Sequence, residues 1–501
     1  MALVERLHWN YPSVYLRWTV VAAILVSVML AQIPMVLNAD LGWLLTVNEK
    51  ILAGKKLGVD LFESNPPLSV YMYMPAAILA GMTGAPPEFI VIVLVIGGIL
   101  STLLVIDRAA KHARYETKDR NLLAWCFALL LAVLPGATFG QREHIAVVAL
   151  TPFVAVTAIR WRCLNPGPIA ILAGLGAGLA ISIKPFFALV IGFPIVVAIM
   201  RQRSIRPLLT IEASAAAVTA ISYAAFVVTF FPAYLFNYAP MVTEAYLPIR
   251  REFGTLVVLP ISVIGASLGF LRIAASHKVK TWSEAAPWLA ASVGGAASFL
   301  AQGKAWPYTA LALCVFAVSG PLLVYWRNRA STSVVAAGCF IILLIGIFLS
   351  KPAPGFPPLE LRVEALVKHP RLLTITDHIA LGHPLVRELD GVWVGSSCAQ
   401  LLAAGAILRE QDPQLSDDIR VKLDNIIAFE RRQLLNGLRD GRPDVVLVDT
   451  YLFSTNRFDW LTWAKSDPET RAELNRYREV EGVGRVRIFV SESQVGERAR
   501  F

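Results

Sequence analysis

The chain has 501 residues, 56% of them hydrophobic and 16% charged, a balance too apolar for a soluble enzyme of this length. Long uncharged runs recur from Val20 to Leu349, so the chain reads as an all-α polytopic membrane protein. The formal net charge of +10 does not mark a nucleic-acid surface. Its basic residues fall in short clusters between apolar runs, Arg108–Arg120, Arg160–Arg162, Arg201–Arg206, Arg272–Lys280 and Arg327–Arg329, as cytoplasmic loops do.

The first apolar run, Trp18–Leu37, lacks a small-residue cleavage site and is expected to be a retained helix. With the amino terminus inside, it delivers the polar stretch Asn38–Pro67 to the outer face. There Asp40 stands just after the helix, and GWLLTVNEKILAG behind it has the spacing of an amphipathic surface helix. Asp40 is either a helix N-cap or a group available for chemistry at the membrane exit. Asp60 and Glu63 would share one face if their segment is helical, placed to bind a divalent cation or a substrate hydroxyl, or simply to be solvated. Leu68–Gly81 is short for a crossing, follows Pro66-Pro67, and reads as an interfacial or re-entrant helix.

Phe89–Ile106 then returns to the inner basic loop. Further crossings are expected at Leu122–Thr138, His144–Ile159, Pro168–Ser182, Pro185–Met200, Leu209–Phe230, Phe253–Leu271, Ala285–Leu300, Pro307–Trp326 and Thr332–Ser350, about eleven spans in all. The outer turns between them carry polar groups. In Gln141–His144, Arg142 suits a phosphate, while Glu143 and His144 suit a metal; a locally neutralised Arg-Glu pair is the plain alternative. Lys184 interrupts an apolar stretch as ISIKPFF, where Pro185 can break the helix, and such a charge calls for an anionic partner, water or snorkelling. The loop Phe231–Glu252 brings Tyr234, Tyr246 and Arg250, and QGKAWPY brings Gln302, Lys304 and Tyr308. Cations beside aromatic rings suit a lipid-linked phosphate carrying a sugar, and aromatics also anchor membrane interfaces. Neither G-x-G-x-x-G after a strand nor G-x-x-x-x-G-K occurs, so bound ATP is not expected to drive a reaction. The five cysteines show no metal or redox spacing.

Composition changes at Lys351. RLLTITDHI, VWVGS, PDVVLVDT and GRVRIFVSE are strand-like, and DIRVKLDNIIAFERRQLLNGLRDG has helical spacing with Val421, Ile426, Phe429 and Leu434 on related turns. The expected division is a transmembrane domain, 1–350, and a small C-terminal α/β domain, 351–501, lying outside.

The order NAD40 with its surface helix, D60LFESNPPL, GQREH144, IK184PF and Q302GK304AWPY resembles the polytopic glycosyltransferases of the C-type (GT-C) fold. The nearer likeness is to the bacterial branch related to protein O-mannosyltransferases and lipid A aminoarabinose transferases. That resemblance implies a polyprenyl-phosphate sugar donor, an envelope glycan or lipid acceptor, and a bacterial inner-membrane enzyme whose site and tail face the periplasm. It puts Asp40 in the place of the general base, and Glu143 at a second external turn where relatives often carry an acid for metal or substrate. The chain departs from the pattern in having no Asp-x-Asp pair, which leaves a divalent cation as an open cofactor. The substrate-binding group is then Asp60, Glu63, Arg142, Glu143, His144, Lys184, Tyr234, Tyr246, Arg250, Gln302, Lys304 and Tyr308. A transporter or flippase for a lipid-linked sugar or an anionic solute would use many of the same groups, and a noncatalytic assembly factor is a third class. Membrane lipids are expected partners and nucleic acid is not.

Overall fold

The computed structural model describes residues 14–35, 37–275, 279–328, 357–453 and 456–492, together with Gly346. The chain divides into two compact units, residues 1–35, 79–225 and 251–351 in one, and 36–78, 226–250 and 352–501 in the other.

The first unit is a helical bundle. Across the described residues, six helices are long and apolar enough to cross a membrane: Val14–Gln32, Pro87–His112, Arg142–Trp161, Ile211–Phe230, Phe253–Ile273 and Pro307–Val324. Ala170–Ile183 and Phe187–Gln202 are apolar but shorter. The expected crossing at Leu122–Thr138 is the helix Thr117–Ala132, and that at Ala285–Leu300 is Val279–Gln302. The expected crossing Thr332–Ser350 lies outside the described residues, Gly346 excepted. Many large apolar side chains stay exposed on these helices, among them Leu30, Val218, Ile221, Val258 and Ile261, as hydrocarbon solvent allows. The chain is a multi-pass membrane protein.

Small residues set the tightest packing. On Ala170–Ile183, a Cβ at Gly174 would strike the backbone of Glu212, and one at Gly178 would strike Thr219. This G-x-x-x-G face therefore lets the helix backbones approach as membrane helices do where dispersion is the main attraction. Several buried charges among the described residues of this unit are paired. Arg17, fully buried, meets Asp107 and donates from Nε to Asn121 Oδ1 at 2.5 Å, and Arg120 grips the same Asp107 with two bonds of 2.9 and 2.6 Å. Arg160 holds the buried Glu212 through Nη2 at 2.9 Å. Pairing of this kind is what keeps an ion tolerable in low dielectric.

The second unit is built on the tail. Strands β1 (Arg371–Ile375), β2 (Val392–Trp393), β3 (Val445–Val448), β6 (Tyr477–Val483) and β7 (Val486–Ser491) form a sheet in the order β2-β1-β3-β7-β6. The β2-β1-β3 part is parallel, while β7 joins β3 and β6 antiparallel. Strands β4 (Tyr451–Leu452) and β5 (Asn456–Arg457) pair separately. All four strand-like segments of the sequence are strands, and β6 was missed because its exposed alternation YREVEGV carries few apolar residues. The long helix is Asp417–Arg439, but its buried stripe is Leu423, Ile426, Ile427, Glu430 and Leu434. Val421, expected on that stripe, is exposed.

The segments 36–78 and 226–250 pack with this sheet domain. The expected surface helix is Ala39–Leu52, with Ala39 and residues 41–48 buried. Its far end is tied down by Arg387, which donates to both oxygens of Glu49 at 2.8 and 2.9 Å, and by Lys50, whose ammonium donates to the Gly395 carbonyl at 2.7 Å. Burial and the nearby Lys55 push the Lys50 ammonium down to about 8. Asn48 donates from Nδ2 to the carbonyls of Leu44 and Val70 at 2.7 and 3.0 Å, fixing the segment that follows Pro66-Pro67. That segment is two helices, Leu68–Tyr71 and Met74–Thr83. The stretch 233–246, expected as a loop, is helical with wide π-type turns, Ala233–Tyr238 and Val242–Tyr246.

Candidate functional site

Three helix ends meet in the first unit. Gln141 precedes the helix Arg142–Trp161, Lys184 ends Ala170–Ile183, and Gln302 is the last residue of Val279–Gln302. Pro185 has no N–H to extend its helix, and the Lys184 backbone turns extended there, φ −146° and ψ 118°. Gly303 at φ +70° stops the third helix, a left-handed geometry that glycine adopts at little cost.

The charges these ends bring together are buried. Gln141, Arg142, Glu143 and His144 are all within 4% of complete burial, and Lys184 is 8% exposed. Lys184 forms an ion pair with Glu143, donates to Gln302 Oε1 at 3.3 Å, and stands 5.9 Å from the centre of the Tyr308 ring. The anionic partner that the sequence demanded for Lys184 is therefore Glu143. An ammonium has three donors, and Glu143 and Gln302 account for two. Tyr308 packs on Trp306 with ring centres 5.5 Å apart; Lys304 is half-buried nearby in sequence.

His144 does a different job. The Gly140 N–H donates to its Nδ1 at 3.0 Å, which leaves the proton on Nε2, and Nε2 donates to the Leu131 carbonyl at 2.7 Å. Both ring nitrogens are thus used in holding the turn, so metal ligation by His144, one expectation from sequence, would break two buried bonds. Across the described residues, no group of three or more His, Cys, Asp or Glu side chains is placed to hold a metal ion.

The second unit holds the other candidate residues. The N-cap of Ala39–Leu52 is Asn38, whose side-chain oxygen accepts from the Asp40 N–H at 3.0 Å. Asp40 lies inside the first turn, half-buried, at the end of the helix where backbone N–H groups favour negative charge. Asp60 and Glu63 do not share a helical face, because 57–66 is a tight loop closed by a bridge between Leu57 and Leu61. Asp60 is exposed and accepts from the Lys56 N–H at 2.8 Å. Glu63 is buried and accepts from Trp43 Nε1 at 2.7 Å and from Asn65 Nδ2 at 2.6 Å. Gly58, at φ +79°, lies where a Cβ would press on the backbone of Tyr234, so the loop and the π-type turn fit only with glycine there.

Tyr234 is buried, Tyr246 half-buried and Arg250 exposed. Beside Tyr234, the buried Tyr238 packs on Phe62 and Phe429 with ring centres 5.2 and 6.3 Å away. Burial, then Glu430 and Glu63, hold the Tyr238 phenol well above its usual range. Burial alone pushes the Glu430 carboxyl up to about 8. Sequence reasoning overlooked Trp43 and Glu430. The signal for Glu430 was its place four residues after Ile426 and four before Leu434, a carboxyl on an otherwise apolar stripe.

No family model matches the chain. No curated protein sequence matches it either. Among solved structures, ArnT from Cupriavidus metallidurans in the apo state superposes with a TM-score of 0.51 at 14% identity, over 95% of this chain and 98% of that one. ArnT from the same organism bound to undecaprenyl phosphate gives 0.48 at 14% identity, over 96% and 98%. An Archaeoglobus fulgidus oligosaccharyltransferase tethered to an acceptor peptide gives 0.38 at 14% identity, over 70% and 57%. The fold is thus the GT-C fold expected from the sequence, with helices followed by a small C-terminal α/β region.

Proposed function

We propose that the chain is a glycosyltransferase of the bacterial inner membrane that moves a sugar from a polyprenyl-phosphate donor to an envelope glycan or lipid acceptor, with its site and C-terminal domain on the periplasmic face. The observation that best supports this is the buried Glu143–Lys184–Gln302 group, with Arg142 at the same turn, in a chain that shares the fold of ArnT. Ions are costly inside a membrane protein and are kept chiefly where they serve a substrate or an ion path. The donor class rests on the resemblance of the motifs around Asp40, Glu143, Lys184 and Lys304, and on that shared fold.

In this reading an acceptor hydroxyl oxygen attacks the anomeric carbon of the donor. Asp40 accepts the hydroxyl proton as general base. The bond from the anomeric carbon to the phosphate oxygen breaks, and its electron pair leaves with the polyprenyl phosphate. Lys184, Arg142 and Lys304 are assigned to stabilising the charge on that leaving group, and Tyr234, Tyr246, Tyr308 and Arg250 to binding substrate. Glu143 and Gln302 orient the Lys184 ammonium, and His144 keeps the turn in place. Asp60 and Glu63 are assigned to orienting a substrate hydroxyl. A single displacement of this kind inverts the anomeric configuration.

The test is to incubate purified protein with a panel of polyprenyl-phosphate sugars and envelope acceptors, identify linked products by mass spectrometry, and read the anomeric configuration by NMR. A glycan or lipid product with inverted configuration is expected. Movement of a lipid-linked sugar between leaflets without any transfer would replace the reading with a flippase.

A further inference from the structure

The sheet domain carries a second group of polar side chains that the transfer reaction does not use. In the parallel part of the sheet, the chain leaves β1 towards β2 on one side and leaves β3 towards β7 and β6 on the other. The carboxyl ends of β1 and β3 therefore form a point where the connections diverge, which is where open α/β sheets bind ligands. Thr376, Asp377 and His378 follow β1, Asp449 follows β3, and Arg485 immediately precedes β7.

Their bonding is incomplete. Asp449 is satisfied: it accepts from the Thr450 and Tyr451 N–H groups at 2.7 and 3.2 Å and from the Thr376 hydroxyl at 3.2 Å, and it pairs with Arg485 at 3.1 Å. Asp377 is 6% exposed and accepts from the Phe453 N–H at 2.8 Å through one oxygen only. Its other oxygen, Nδ1 of His378 and Nε of Arg485 are buried with no partner among the described residues. Buried polar groups are nearly always bonded, so neighbouring orphans point to something that completes them. Burial pushes the Asp377 carboxyl up to about 6, as befits an under-solvated acid. The Tyr451 ring centre lies 5.6 Å from the Arg485 guanidinium, and Tyr451, His378 and Arg485 are all partly exposed.

From this geometry we infer that the carboxyl ends of β1 and β3 form a subsite for a neutral saccharide with adjacent free hydroxyls, bound by Asp377, His378 and Arg485 against Tyr451. The orphans are an acceptor, a ring nitrogen and a donor. A hydroxyl both donates and accepts, so two neighbouring hydroxyls serve all three. An anion would face Asp377 and Asp449, and a cation would face Arg485. The inference goes beyond the transfer reaction and stands without it.

The test uses the full chain in detergent. Saturation-transfer NMR titrations would compare neutral oligosaccharides of glucose, mannose and N-acetylglucosamine with an oligomer of a uronic acid and with a short neutral peptide. Saturable binding of a neutral oligosaccharide is expected, about tenfold weaker in Asp377→Asn and in His378→Ala, since each removes a bond to a charged or polar partner. Both variants should keep their thermal midpoint and circular dichroism. Asp40→Asn should bind the same saccharide normally while failing to transfer sugar, which separates the two readings. Absence of neutral saccharide binding, equal binding of the uronic acid oligomer or the peptide, or undiminished binding by both folded variants would overturn the inference.

Discussion

Removing the charge from Lys184 tests whether its buried pair serves the donor or only the bundle. The side chains of Lys184 and Glu143 are 10% and 2% exposed, so solvent does little to screen them, and the small values typical of surface pairs do not apply. Lys184→Met keeps much of the side-chain length but strands Glu143 without its ammonium partner, a loss of about 3–5 kcal/mol of stability. Glu143→Gln likewise leaves the buried ammonium without a counter-charge and should cost up to about 3–5 kcal/mol, reduced by the hydrogen bond the amide oxygen still accepts. The double variant leaves no uncompensated ion of this pair and should recover most of the stability lost in Lys184→Met. Activity should not follow stability. If Lys184 holds the carrier phosphate, the donor KM of Lys184→Met rises and turnover falls, and the double variant remains as poor as Lys184→Met. Thermal unfolding in detergent and steady-state transfer kinetics on all four proteins supply the numbers. A double variant that regains both stability and donor use would refute the argument and leave the pair a structural one.

Asp40→Asn should fold normally, since the helix cap belongs to Asn38, yet lose turnover by roughly 10²-fold or more; near-normal turnover would remove Asp40 from the reaction. Chelator-treated protein should keep measurable transfer activity, because the carboxylates near the proposed site are dispersed, and complete loss restored by one added divalent cation would disprove that. Glu430 supplies a pH test. Its folded carboxyl stays protonated to about 8 while the unfolded one ionises near its ordinary value, so stability from this group is full below about pH 4 and falls as pH rises to about 8. Glu430→Gln should flatten that part of the stability profile by a few kcal/mol, and an unchanged slope would show that another group is responsible.

The sequence by itself determined the solvent and the order of elements. Apolar runs too long for a soluble core require a bilayer, and alternating short apolar segments after Lys351 require a sheet, because both follow from local periodicity and hydrophobic transfer alone. It also established that Lys184 must have a counter-charge, since an isolated ammonium among apolar helices is too costly. Which counter-charge it has was settled only by the fold. Glu143 lies 41 positions away, and no periodicity encodes a pairing between the ends of two different helices. The same holds for Asp40 and Asn38, where two capping residues stand within one turn and the backbone torsions chose Asn38. Asp60 and Glu63 separated because a bridge between Leu57 and Leu61 replaced the helix their spacing would need. Glu430 entered the core because its helix turned Leu423, Ile426 and Leu434 inward and carried the carboxyl with them. Periodicity assigns a residue to a face; only packing decides what that face meets, and burial and partners then set its chemistry.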